Sequence, residues 1–198
     1  MSQTISHRRF VIHPLKFNMW LAIVAMTMMF AAFTSAYVVK KADLRTWAEI
    51  ELPAMFTYST VVILISSVFM QLSYYAYKRN NVSAYRSFIM LTLFTGASFL
   101  YLQIQGWQQL TASGIHLSAN VAGSFVYVIS GAHFLHVTGG VIALLVFSIR
   151  AFTRIKHPVD TLVENIHPDK QVGVELMATY WHFVDVLWLY LFFFFQMS

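Results

Sequence analysis

The chain has 198 residues, 58% of them hydrophobic and only 11% charged, with 18 phenylalanines and a formal charge of +5. That is the profile of an integral membrane protein. The basic residues lie in short clusters between apolar runs, so lipid headgroups and not nucleic acid are their expected partner. The lack of any cysteine excludes a disulfide framework, a thiolate-bound metal and haem attached through C-x-x-C-H.

The first 16 residues carry His7, Arg8, Arg9, His13 and Lys16 without an apolar core of their own, so no cleavable signal peptide is expected. The first apolar run is then the membrane-insertion signal. Five runs suit a hydrocarbon core of ~30 Å: 17–39, 54–77, 85–107, 122–152 and 174–197. They predict an all-α membrane protein, residues 1–198 forming a single transmembrane domain built as a five-helix bundle. The methionines of "AMTMMF" at Met26 to Met29 point to different sides of the first helix and read as adaptable packing. Pro53 opens the second span, as suits a helix start. Thr27, Thr34, Ser59, Ser66, Thr92 and Thr95 read as packing positions, and Gly96, Gly131, Gly139 and Gly140 as places where neighbouring backbones approach. The fourth span is longer than a bilayer requires, so its ends project or tilt.

Charge asymmetry sets the predicted orientation. With the N-terminus cytoplasmic, the inside segments hold Arg8, Arg9, Lys16, Lys78, Arg79, Arg86, Arg150, Arg154, Lys156 and Lys170, and the outside segments only Lys40, Lys41 and Arg45. The expectation is therefore N-terminus in, C-terminus periplasmic. Arg8, Arg9, Lys16, Lys78 and Arg79 are candidate headgroup contacts.

The informative residues are polar ones inside the last two spans. In "TYWHFVDVLWLY", His182 and Asp185 fall near the middle of the fifth span, where each ionisable group costs ~2.5 kcal/mol or more on insertion scales. At 100° per residue Glu175, Ala178, Thr179, His182 and Asp185 share one face, which leaves Trp188, Phe193 and Phe194 as aromatic surface for lipid. The i, i+3 spacing lets His182 and Asp185 hydrogen-bond. In "SGAHFLHVTGGVIALL" of the fourth span, Ala132, His136, Gly139, Gly140 and Ala143 form a small-residue stripe with His133 about 60° aside. The two histidines are thus expected to meet the histidine-aspartate pair across a close helix contact.

Three functional readings follow. In the first, His133, His136, Glu175, His182 and Asp185 are interhelical polar contacts, each worth ~0.6 to 2 kcal/mol. In the second, His182 with His133 or His136 ligates a b-type haem, although His133 and His136 are too close along one helix to grip opposite porphyrin faces. In the third, these groups carry protons in a small coupled transporter.

The stretch "ELMATYWHFVDVLWLYL" from Glu175 to Leu191, together with "SGAHFLHVTGG" from Ser130 to Gly140 and, more faintly, "MWLAIVAM" from Met19, resembles subunit III of the haem-copper respiratory oxidases. The likeness runs from about His13 onward, in the manner of the short five-span bacterial form. It implies an accessory chain with no catalytic, cofactor-binding or metal-binding residue of its own, in a bacterial inner membrane. Haem and copper would lie in partner subunits of a cytochrome c oxidase, or alternatively a quinol oxidase. The implied partners are oxidase subunit I, subunit II, possible further respiratory-complex subunits and phospholipids. The implied work is to stabilise subunit I, hold lipid and sustain proton uptake. Where the family commonly buries a glutamate, this chain has Met26.

Overall fold

A computed structural model describes residues 14–43, 47, 50–117, 120–153 and 168–197, with side chains from residue 172 onward in the last segment. The described residues form five helices and no strand: α1 (Pro14–Asp43), α2 (Ala54–Lys78), α3 (Val82–Ala112), α4 (Val121–Thr153) and α5 (Pro168–Met197). Each contains a stretch long and apolar enough to cross a membrane, as the hydropathy pattern predicts. Helices are what such sequences must form in lipid, because every backbone N–H and C=O has to be satisfied within the segment.

The α2–α3 connection is a tight hairpin. Asn80 takes the left-handed conformation at φ 54°, which asparagine tolerates, and Asn81 N–H returns to the Ala76 carbonyl. The Asn81 side chain then caps α3 by accepting from Ala84 N–H at 3.1 Å.

α2 and α3 pair most extensively, α4 packs on α3, and α5 packs on both α2 and α4. α1 packs mainly on α4 and α5 rather than on α2, the helix it precedes. Its inward stripe is Ile23, Met26, Phe30, Thr34 and Tyr37, at helical spacing. The inward stripe of α2 alternates large apolar residues with Ser59, Ser66 and Ser73, each seven residues from the last and fully buried. Half of the apolar stretch of α5 is buried against 22% of that of α1, so α5 is central and α1 peripheral. Outward positions such as Phe94 and Leu135 are large, apolar and exposed, as suits a surface solvated by acyl chains.

Direction alternates along the chain. α5 pairs antiparallel with α2, through Trp181–Ser66 and Trp188–Thr60, and parallel with α1, through Lys16–Glu175 and Thr34–Tyr190. One end of the bundle therefore gathers Lys16, Lys78, Arg79, Arg86 and Arg150, and the other Lys40 and Lys41.

Candidate functional site

The polar residues of α5 are held by α2. His182 Nδ1 lies 2.7 Å from Ser67 Oγ, and its Nε2 lies 2.9 Å from Gln71 Oε1. A carboxamide oxygen only accepts, so the ring proton sits on Nε2 and Nδ1 accepts from the serine hydroxyl. Asp185 is 2% exposed, and among the described residues neither carboxyl oxygen has a hydrogen-bond partner. Ser67 lies beside that carboxyl, but its single hydroxyl proton is committed to His182.

Two tryptophans flank this pair on α5, both buried. Trp181 donates its indole N–H to Ser66 Oγ at 3.2 Å, and Trp188 donates to Thr60 Oγ1 at 2.9 Å. The Trp181 ring is wedged between α3 and α4. A Cβ on Gly96 would stand 2.8 Å from its Cη2, and one on Gly140 would stand 3.0 Å from its Cζ3. The Trp188 ring stacks on His133 of α4, with centroids 5.1 Å apart and planes at 28°.

His133 is buried in an aromatic cage where four helices meet. Phe30 of α1 lies 6.4 Å away and Phe99 of α3 5.9 Å away, both edge-on, and neither ring nitrogen is hydrogen-bonded. His136 is half-buried, with Nδ1 2.7 Å from the Ala132 carbonyl of its own helix. The His136 carbonyl accepts from the Tyr180 hydroxyl at 2.9 Å, and the Phe30 ring stands 5.8 Å from its imidazole.

Several expectations are corrected by this geometry. The His182–Asp185 hydrogen bond does not form, because the imidazole turns onto the serine and glutamine of α2. The α4 imidazoles do not join that pair, because α5 meets α4 through Tyr180, Trp181 and Trp188 while His182 lies 100° round the helix from Trp181. Trp188, assigned to lipid, is 1% exposed, whereas Phe193 at 56% does face outward. Gly140 and Gly96 admit an indole ring and not a backbone, and a Cβ on Gly131 or Gly139 would meet no atom within 4 Å.

Glu175 accepts an ion pair from Lys16 at 2.7 Å, tying α5 to the first turn of α1. Lys78 holds its ammonium 4.6 Å from the Tyr74 ring centroid, and Arg79 follows at the hairpin. Arg8 and Arg9 lie outside the described residues. Met26 is buried on the inner stripe of α1, where its thioether packs without needing a polar partner.

Sequence reasoning passed over Ser67, Gln71, Thr60 and Gln103, the last donating to Ser59 Oγ at 2.9 Å. For the residues on α2 the signal lies in the sequence, where hydroxyls recur at positions 59, 66 and 73 with Thr60 and Ser67 alongside, whereas Gln103 on α3 has no such pattern around it. Among the described residues no group of three or more His, Asp or Glu side chains is gathered as a metal-binding cluster.

The family model described as "Cytochrome c oxidase subunit III" matches residues 2–197. The chain belongs to that family. Among its relatives, "Probable cytochrome c oxidase subunit 3" of Nocardia farcinica is 32% identical over 133 residues, covering 67% of this chain and 61% of the relative. "Cytochrome c oxidase subunit 3" of Corynebacterium diphtheriae is 30% identical with 67% and 60% coverage, and that of Thermostichus vulcanus is 30% identical over 174 residues with 86% and 80%. The chain thus spans about 61% of the length of relatives such as the Nocardia one. As a subunit III family member with five apolar helices, it is a multi-pass membrane protein.

Proposed function

We propose that this chain is the accessory, cofactor-free subunit III of a haem-copper terminal oxidase of the cytochrome c oxidase type. It packs against the oxygen-reducing subunit of a bacterial inner-membrane complex, stabilises it, holds phospholipid and supports its proton uptake. Glu175 and His182 act within the chain as polar interhelical contacts, His133 and His136 as ring contacts between helices and Asp185 as a buried carboxyl beside Ser67, and Lys78 and Arg79 face headgroups.

The observation that carries this reading is His182. Both of its ring nitrogens are engaged by α2, at 2.7 and 2.9 Å, which is what a helix fastener does and what an axial haem ligand cannot do. His133, walled by three aromatic rings, has no open approach for a porphyrin iron either. The cytoplasmic N-terminus is favoured by the basic residues of the described segments, five at one end of the bundle against two at the other.

Affinity purification of the tagged chain in mild detergent tests the proposal. Larger partner chains carrying haem and copper should co-purify, and both should stay with those partners when this chain is stripped away. Recovery of the chain alone, or a Soret band that leaves with it, would refute the assignment.

A further inference from the structure

We infer that the α2–α3 hairpin carries a site for one anionic phospholipid, its phosphate held at the bundle end and one acyl chain descending between α3 and α4. A cavity of about 930 Å³ opens there, with Arg79, Ser83, Arg86 and Ser87 at its rim and Met90 and Phe152 below. It lies apart from the contacts of His182, Trp181 and Trp188, and of the residues named above it takes in Arg79 of the hairpin. The inference deepens the lipid-holding part of the proposed function and rests on it.

Charge decides the chemistry of the upper part. Arg79 and Arg86 both line the cavity, and no Asp or Glu among the described residues does. The same wall is the start of a 31-residue helix whose first turn has no acidic residue. The first amides of a helix have no carbonyl within it to bond, and its dipole adds positive potential to that of the guanidinium groups. Arg86 is fixed by a neighbour: its Nε donates to the Ala151 carbonyl at 2.9 Å, and its guanidinium carbon stands 5.2 Å from the Phe152 ring centroid. α4 therefore holds that charge at the cavity wall, which lowers the ordering cost of meeting a phosphate. Ser83 and Ser87, one helical turn apart, add hydroxyl donors.

Shape decides the source of the phosphate. The lining turns apolar at Met90, one turn deeper than Arg86 on α3, and at Phe152, beside Arg86 in the last turn of α4. Phe94, one turn deeper on α3, and Ile149, one turn deeper on α4, are both exposed and continue that surface into the span. A soluble phosphate ester would use only the rim, whereas a phospholipid fills both levels.

Native mass spectrometry of the full chain in detergent tests this, with palmitoyl-oleoyl phosphatidylglycerol, the matching phosphatidylcholine and glycerol 3-phosphate as probes. The chain should retain phosphatidylglycerol in preference to phosphatidylcholine, and glycerol 3-phosphate should not displace it. At roughly fivefold per basic residue, Arg79→Gln with Arg86→Gln should reduce the preference about twenty-five-fold. Ser83→Asp, which sets a carboxylate at the rim one turn from Arg86 and repels the phosphate, should also abolish it and serves if the double variant fails to fold. Equal retention of the two lipids, an unchanged preference in the variants, or displacement by glycerol 3-phosphate would each overturn the inference. Partner co-purification is scored on the same variants. Lost selectivity with intact assembly upholds this site, and intact selectivity without any oxidase partner refutes the proposed function alone.

Discussion

Trp181 sets the spacing of the bundle at the residue scale. Its indole occupies the space that side chains at Gly96 and Gly140 would fill, so α5 approaches α3 and α4 only because both positions lack a Cβ. Gly96→Ala should therefore cost about 1 to 3 kcal/mol through overpacking. Gly139→Ala, which meets nothing within 4 Å, should not destabilise, since alanine is the better helix former. Unfolding midpoints in detergent, followed by tryptophan fluorescence, check the contrast, and equal losses at both sites would contradict it. Sequence alone marks Gly96, Gly139 and Gly140 alike, because periodicity reports which residues share a face and not what stands opposite. His182 shows the same limit. Its spacing from Asp185 permits a hydrogen bond, but the ring orientation is decided by Ser67 and Gln71 on a helix more than a hundred residues earlier.

Among elements, the attachment of α1 combines an ion pair near one end, an aromatic contact at the middle and the Thr34–Tyr190 hydrogen bond of 2.9 Å further along. These are unequal. The side chains of Lys16 and Glu175 are 35% and 39% exposed, so Lys16→Gln should cost no more than about 1 kcal/mol. Phe30 is fully buried against His133 and His136, and Phe30→Ala should cost about 3 kcal/mol by leaving a cavity where α1 meets α4. Circular dichroism melts of the two variants test the order, and a larger loss for Lys16→Gln would show that the ion pair is the main fastening. The helices themselves were legible from runs of apolar residues, since the bilayer dictates their length. Which helices touch was not, because in lipid the outward and inward faces are similarly apolar and hydropathy alone does not choose a partner. The inner face of α2, read as ordinary packing, carries much of the candidate site for this reason.

For the whole molecule, the charge asymmetry makes a topological claim that the absence of cysteine renders simple to check. Asn81→Cys and Ser113→Cys place single thiols at opposite ends of α3. A membrane-impermeant maleimide applied to intact cells should label Ser113→Cys and spare Asn81→Cys. The reverse pattern would invert the orientation.

The placement of α1 against α4 and α5 also bears on biosynthesis. α1 must wait in the bilayer until α4 and α5 have been translated, because the helices it docks on follow it in the chain by more than seventy residues. Its broad lipid-compatible surface equips it for that interval. Truncation before Val121 should therefore leave α1 inserted yet undocked, a species for membrane quality control to find.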